Sequence, residues 1–480
     1  MAARSRFIAR RGTIATRGKL NARETQKPMQ DRVEPPFWMQ GNFAPVTEEV
    51  TAFDLPVEGA IPPELSGLYV RNGANPRHGQ SSHWFLGDGM LHGVAIEGGK
   101  AQWYRNRYVR TPIFEGAPRH PLAGLDIRYA LSNTSVIAHA SRIMALVENA
   151  LPMEISRELE TRGFNDFGGR LATPCTAHPK ICPTTGEMHF FGYRVIPPYL
   201  TYHVADAAGA LIRSVEIPVK AATMIHDFAL TARHAIFMDL PVVFDMPTAM
   251  AGSTMPFHWS ESYGARLGVL PRGGGSESLR WIDIEPCFVY HVANAFEEDD
   301  GTIVLDVARY DEHWRDGPKR NAFDTASLTR WRIPPGATRA EETRIDDRSI
   351  EFPRIDERRI GVPHKAVYAL ATDGSLADGV FTELLKYDLT SGRVDARRFD
   401  GELPSEFTMV PAAEAAGEDE GWLMGYVYDR ASATSDLVIL DAGDIGGKPV
   451  ARIRLPVRVP QGFHGTWIAS EPRACGAAAR

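Results

Sequence analysis

The chain has 480 residues, 44% of them hydrophobic and 24% charged, and a net charge of −7 at pH 7. This is ordinary globular composition, with length enough for one large core or several domains. No run of eighteen apolar residues occurs, which excludes a spanning helix, and the acidic balance leaves no footprint for nucleic acid.

Met1 to Arg23 carries seven Lys or Arg and no acid. Its apolar residues are scattered singly and form no signal-peptide core, so 1–36 reads as a disordered basic tail rather than an export or transit leader. Ordered sequence is expected over 37–471 as one domain, with 472–480 as a second tail. From Val46 onward short β-rich runs alternate with Gly, Pro, Asp and Asn, and no long stretch keeps a 3.6-residue period. LTYHVADAAGALIRSVEIPV from Leu200, LLKYDLTSGRVDARRFD from Leu384 and DLVILDAGDIGGKPVARIRLPV from Asp436 each read as strand, polar turn, strand. Hairpins of one type at irregular intervals are what radial repetition of small sheets produces, so the predicted fold is all-β, a β-propeller. Ser260 to Arg280 is expected to form a cap or lid, and the charged stretch Arg339 to Arg348 a solvated hairpin. A propeller that closes by pairing early and late strands would bury the late segment PQGFHGTWI, Pro460 to Ile468.

Cys175, Cys182, Cys287 and Cys475 form no CxxC pair and fit small buried thiols in a reducing cytoplasm. A metal site using Cys175 and Cys182 with His178 is the less favoured reading.

Four of the fifteen histidines stand where an apolar run meets a turn residue: His178 in TAHPKICPTTGE, His226 in MIHDFALT, His291 in VYHVANAFEEDDG and His464 in GFHGTW. The setting suits strand ends facing a central channel. Their gaps of 48, 65 and 173 residues are far from compact metal motifs, so spacing leaves a shared metal and separate core histidines both open.

Together these four segments resemble the metal motifs of the carotenoid cleavage oxygenase family, which includes lignostilbene dioxygenases, and look nearest to its bacterial carotenoid-cleaving branch. Further landmarks are LSGLYVRNGANP from Leu65, HWFLGDGMLHG from His83, WYRNRYVRTP from Trp103 and EFPRI from Glu351; Ala74 departs from the usual proline of the RNGPNP turn. The resemblance implies a seven-bladed propeller with a loop and helical cap and one iron(II) on its axis, held by His178, His226, His291 and His464. Neutral imidazoles suit iron(II), and four of them leave up to two octahedral positions open. It also implies that Glu148, Glu351 and Glu406 pair with His226, His291 and His464 respectively, that His178 lacks such an acid, and that the methyl of Thr134 crowds one open position. Each glutamate could otherwise be a solvated strand end, and Thr134 a turn residue satisfying local backbone.

The implied reaction is addition of dioxygen across one C=C bond of a conjugated chain, yielding two carbonyl products. Stilbene cleavers of the family typically carry Lys before the first of these glutamates, where this chain has Val147. That favours a carotenoid or apocarotenoid, with a hydroxystilbene as the alternative. Phe237 to Trp259, rich in Met, Pro and Val, is expected to line a tunnel mouth or to pack as a cap. The protein is expected in the cytoplasm, with weak peripheral membrane contact at most and no obligate protein partner. Two other classes stand beside this: a metal-free interaction propeller, and a metal-dependent hydrolase or isomerase that consumes no oxygen.

Overall fold

The computed structural model describes residues 35–117, 126–315, 325–372 and 380–470. The expected tails, the boundary at 471 and Cys475 fall outside these residues, apart from Pro35 and Pro36.

Local chemistry sets the hairpins. Leu211–Glu216 alternates more and less buried side chains along its length, Leu211 buried and Ile212, Ser214 and Glu216 exposed, the period of a strand with one face turned toward the core. Its partner Leu200–Ala205 is joined to it by a turn in which Asp206 Oδ1 accepts the N–H groups of Ala208 at 3.0 Å and Ala210 at 2.8 Å. Gly209, at φ 84°, takes the left-handed position of that turn.

Seven antiparallel sheets of four or more strands and one two-stranded ribbon contain all the described strands, giving the predicted seven-bladed propeller. The innermost strands, in chain order, are Ser135–His139, Lys180–Ile181, Phe228–Leu230, Phe288–Glu297, Ile350–Arg354, Thr408–Pro411 and Gly465–Ala469. Phe228–Leu230 touches Phe288–Glu297, which touches Ile350–Arg354, and Gly465–Ala469 touches both Thr408–Pro411 and Ser135–His139, so the last inner strand meets the first. Apolar faces of adjacent blades fill the space between them, as Ile236, Leu267, Leu305 and Trp331 do in the largest cluster.

Closure uses early strands twice. Gly67–Ala74 pairs with the late strand Gly465–Ala469, with Arg71 opposite Gly465, and Val57–Gly59 pairs with Ala451–Arg454. The late segment is therefore in the sheet, as expected. A Cβ at Gly462 would overlap the Arg71 guanidinium, and one at Gly465 would lie 2.5 Å from Tyr69 Oη, so both positions require glycine. Phe463 is buried against Trp84, at 4.9 Å between ring centroids, whereas Trp467 is only half-buried.

Two expectations need correction. Ser260 to Arg280 is no lid: Ala265–Pro271 is an interior blade strand between His234–Asp239 and Arg280–Ile284. Arg339 to Arg348 is solvated, but it supplies the single edge strand Glu341–Arg344, paired with Ala326–Ile333, rather than a hairpin. The cap is instead the ribbon Val242–Phe244 with Phe257–Trp259, joined through the short helix Met246–Met250, where Met250 is 82% exposed. No helix among the described residues is long and apolar enough to cross a membrane.

Candidate metal centre

Each of the seven innermost strands delivers one of the singled-out residues at or near its start. Thr134, His178, His226, Glu406 and His464 lie just before their strands, His291 sits within Phe288–Glu297, and Glu351 within Ile350–Arg354. Irregular backbone aims the two that lie inside strands. Register shifts flank His291 between Val289 and Asn294, and a further shift lies between Glu351 and Arg354. Such bulges bend a strand and redirect its side chains.

The four histidines converge. Nε2 of His178 lies 2.9 Å from that of His226, Nε2 of His226 lies 3.3 Å from that of His291, and Nε2 of His291 lies 3.2 Å from that of His464. All four ligand atoms fall within 4.8 Å of one another, the one such cluster able to hold a metal ion found among the described residues. Imidazole nitrogens bound at roughly 2.1 Å about one ion stand about 3.0 Å apart in adjacent positions. The donor set therefore fits a single transition-metal ion, and its all-nitrogen chemistry suits zinc, copper, iron or nickel.

Three of the four rings are gripped from behind by carboxylates. Glu148 pairs with Nδ1 of His226 and accepts the Tyr193 hydroxyl at 2.8 Å. Glu351 stands 2.5 Å from Nδ1 of His291 and also accepts the Tyr310 hydroxyl at 2.8 Å. Glu406 stands 3.0 Å from Nδ1 of His464, and its other oxygen accepts the Gly465 N–H at 2.7 Å. Each contact places the proton on Nδ1 and turns Nε2 toward the common centre. No carboxylate among the described residues pairs with His178, whose backbone N–H is held by Thr176 Oγ1 at 3.1 Å.

Burial and neighbouring imidazoles hold His178 well below the usual histidine range, and burial brings His464 down to about 4 despite Glu406. For His226 burial is the largest influence and lowers the pKa, but Glu148, Asp227 and Glu351 together leave it raised. Burial works to raise Glu406, yet Arg354, His464 and the Gly465 N–H together hold it down at about 2. Burial likewise works to raise Glu351, yet His291, the Phe352 N–H and Tyr310 hold it below the usual carboxylate range, and negative charge behind the rings offsets part of that of a divalent ion.

Aromatic rings brace the four histidines. Phe352 stacks on His291 at 5.1 Å and meets His464 edge-on at 5.3 Å, and Tyr290 meets His226 edge-on at 5.0 Å. Phe352 has φ 54°, a left-handed conformation that costs a bulky residue on the order of 1–3 kcal/mol and persists where its surroundings over-determine it. Here its N–H closes on Glu351 Oε2 at 2.5 Å while its ring covers His291.

The two faces of the centre differ. Along the axis a cavity of about 370 Å³ has a mixed lining, in which Lys180, Asp227, Asn294, Arg354 and Glu357 stand among apolar side chains such as Val136, Ile137 and Ile355. Tyr290 and Phe463, which precede His291 and His464, instead pack with Phe85 at 6.1 and 5.8 Å, and His83 stacks on Trp314 at 5.7 Å. The cap joins this aromatic face through the Trp259 N–H, which donates to the Trp314 carbonyl at 3.2 Å.

Thr134 is buried, donates its hydroxyl to Asn133 Oδ1 at 3.0 Å, and accepts the His464 N–H on its carbonyl at 3.2 Å. Val147 is half-buried beside Glu148 and does not line the axial cavity. Cys175, Cys182 and Cys287 are buried, free and outside the histidine cluster. Sequence reasoning missed Tyr193, Tyr310, Arg354 and Asp227. The only available signal was adjacency, since Asp227 follows His226 and Arg354 lies in EFPRI.

Comparisons agree in direction. Residues 43–469 match the family model described as retinal pigment epithelial membrane protein. A carotenoid cleavage oxygenase of Mycobacterium tuberculosis is 39% identical over 489 residues, covering 90% of this chain and 97% of that protein. Among solved structures, the lignostilbene dioxygenase of Pseudomonas brassicacearum superposes with a TM-score of 0.83 at 29% identity, covering 91% of this chain and 99% of that one. Cobalt-substituted Synechocystis ACO, an apocarotenoid oxygenase, gives 0.80 at 28% identity over 90% and 98%. The chain, with its seven blades and converging imidazoles, belongs to the family of the retinal pigment epithelial membrane protein and the carotenoid cleavage oxygenases.

Proposed function

We propose that this protein is an iron(II) dioxygenase that cleaves one C=C bond of a carotenoid or apocarotenoid to two carbonyl products. The observation that carries the reading is the cluster of four Nε2 atoms beside an aromatic face, in a chain whose relatives bear the names of carotenoid cleavage enzymes. His178, His226, His291 and His464 would hold the ion, one per chain. When bound, iron(II) would supply open coordination positions and a centre that lends electron density to dioxygen without net oxidation, since both oxygen atoms end in the two carbonyl products.

The remaining work falls to the chain. Glu148, Glu351 and Glu406 fix ring orientation and tautomer and supply the charge that neutral imidazoles lack. Thr134 has its hydroxyl occupied by Asn133, so the face it can present is its methyl, which suits a role in narrowing one open position. Phe85, Tyr290, Phe463 and Trp314 offer a polarizable apolar wall for a polyene and exclude water from the reacting bond. The exposed Met246 and Met250 of the cap suit a tunnel mouth that receives an apolar substrate from a lipid surface, with weak peripheral contact at most.

Oxygen uptake by the iron-loaded protein with β-apo-8′-carotenal, with products identified by mass, tests this. Two aldehydes with stoichiometric uptake are expected. Bound iron without uptake on any polyene would refute dioxygenase activity, and cleavage of hydroxystilbenes alone would move the substrate to the lignostilbene class.

A further inference from the structure

Among the described residues, no backbone ladder joins the innermost strands of neighbouring blades. Beyond isolated backbone contacts such as the His464 N–H to the Thr134 carbonyl, it falls to side chains to set the spacing of ligands carried by different blades. Behind three of the four histidines, one carboxylate does this. Asp227 is 1% exposed, and the three donors it meets lie within two residues of a ligand. Its Oδ1 accepts the N–H of Phe228 at 2.8 Å, two residues past His226. Its Oδ2 accepts the N–H of Val292 at 2.9 Å, one residue past His291. Lys180, two residues past His178, reaches both oxygens, at 2.9 Å to Oδ1 and 3.2 Å to Oδ2.

We infer that Asp227 is a positioning residue for the centre: a single buried carboxylate that ties together the strands bearing His178, His226 and His291. It gives His178 the anchorage that the other ligands receive from Glu148, Glu351 and Glu406. Its charge is matched by the Lys180 ammonium, so it adds rigidity without adding net charge. Thr176 reinforces the same seam, receiving the His178 N–H at 3.1 Å and donating to the His226 carbonyl at 3.4 Å. The inference rests on the reading of the four histidines as metal ligands.

Asp227→Asn in the full chain tests it, with cobalt(II) as the probe. Asparagine keeps the shape but offers one acceptor oxygen, so it cannot receive both N–H groups and the ammonium together. Cobalt affinity, measured by competition with a chromogenic chelator, is expected to fall about 10–100-fold, with a changed visible absorption envelope. Asp306→Asn is the control, because Asp306 is equally buried but serves Arg330 and His364; it is expected to lower stability and leave cobalt affinity unchanged. Equal losses in the two variants, or an unchanged affinity in Asp227→Asn, overturn the inference. Should Asp227→Asn not fold, Lys180→Met decides, a weakened affinity supporting the inference and an unchanged one overturning it. Failure of the unmodified protein to bind cobalt would instead remove the metal reading itself.

Discussion

Glu406 holds both the side chain of His464 and the backbone that carries it: one oxygen stands 3.0 Å from Nδ1, and the other accepts the following N–H, of Gly465, at 2.7 Å. Glu406→Gln keeps an acceptor and the bulk but removes the charge. It is expected to cut metal affinity about 10–100-fold while leaving the fold intact, checked by iron content after desalting and by circular dichroism.

His291 meets His226 and His464 at 3.3 and 3.2 Å and completes the arc between them. His291→Ala is expected to lose bound iron and all cleavage. Retention of both by the purified variant would take His291 out of the ligand set.

Val147 stands beside Glu148 and is apolar. If it borders the substrate, Val147→Lys places an ammonium where a phenol oxygen can meet it, and relative kcat/KM should move from apocarotenal toward hydroxystilbene. An unchanged ratio counts against that placement.

Stability of the metal-free protein should fall in acid. Burial brings His83, His189, His203 and His464 down to about 4. An unfolded chain takes up protons on these residues as pH drops through roughly 6.5 while the folded one does not, so stability present above that pH is lost on the way to 4. Each contributes on the order of 3 kcal/mol by pH 4, and four of them rival a whole stability of roughly 5–15 kcal/mol. The raised His226 acts in the opposite sense but is one group against four. A melting temperature that falls steadily from pH 7 to pH 5 is expected, and a flat profile would contradict it.

Gly465→Ala sets a Cβ 2.5 Å from Tyr69 Oη in the closing blade. The clash is expected to cost about 1–3 kcal/mol and to weaken metal binding together with the melting temperature, because His464 is the neighbouring residue. Gly209→Ala, in the remote hairpin turn, is also expected to lower the melting temperature but to leave metal binding untouched.

The hairpins were legible because their physics is local. Alternation over Leu211–Glu216 and the Asp206–Gly209 turn lie within a single stretch of chain. Ala265–Pro271 escaped for the opposite reason. The sequence of Ser260 to Arg280 suggests a cap or lid, yet its Gly268 packs against Trp281, where a Cβ would lie 2.9 Å from the ring, a partner the local sequence does not reveal. In the site, the histidines stood out as residue types at strand edges, and their roles came from resemblance rather than from spacing. Asp227 and Arg354 carried no such mark. A charged residue looks solvated in sequence, and the partners that bury Asp227, Lys180 and Val292, lie 47 and 65 residues away.

The closing strand Gly465–Ala469 completes a blade begun by Gly67–Ala74, and His464 leads directly into it. An ion shared by His464 and the other three imidazoles would consequently be a clasp across the joint where the ring could come open. Occupancy and ring closure would then be one equilibrium read from two ends: loading the ion would stabilise the closed circle by mass action, and a chelator strong enough to strip it would loosen the joint. Storage conditions that scavenge metal would erode the architecture as well as the chemistry, and protection of the Gly465–Ala469 amides against hydrogen exchange should track metal content.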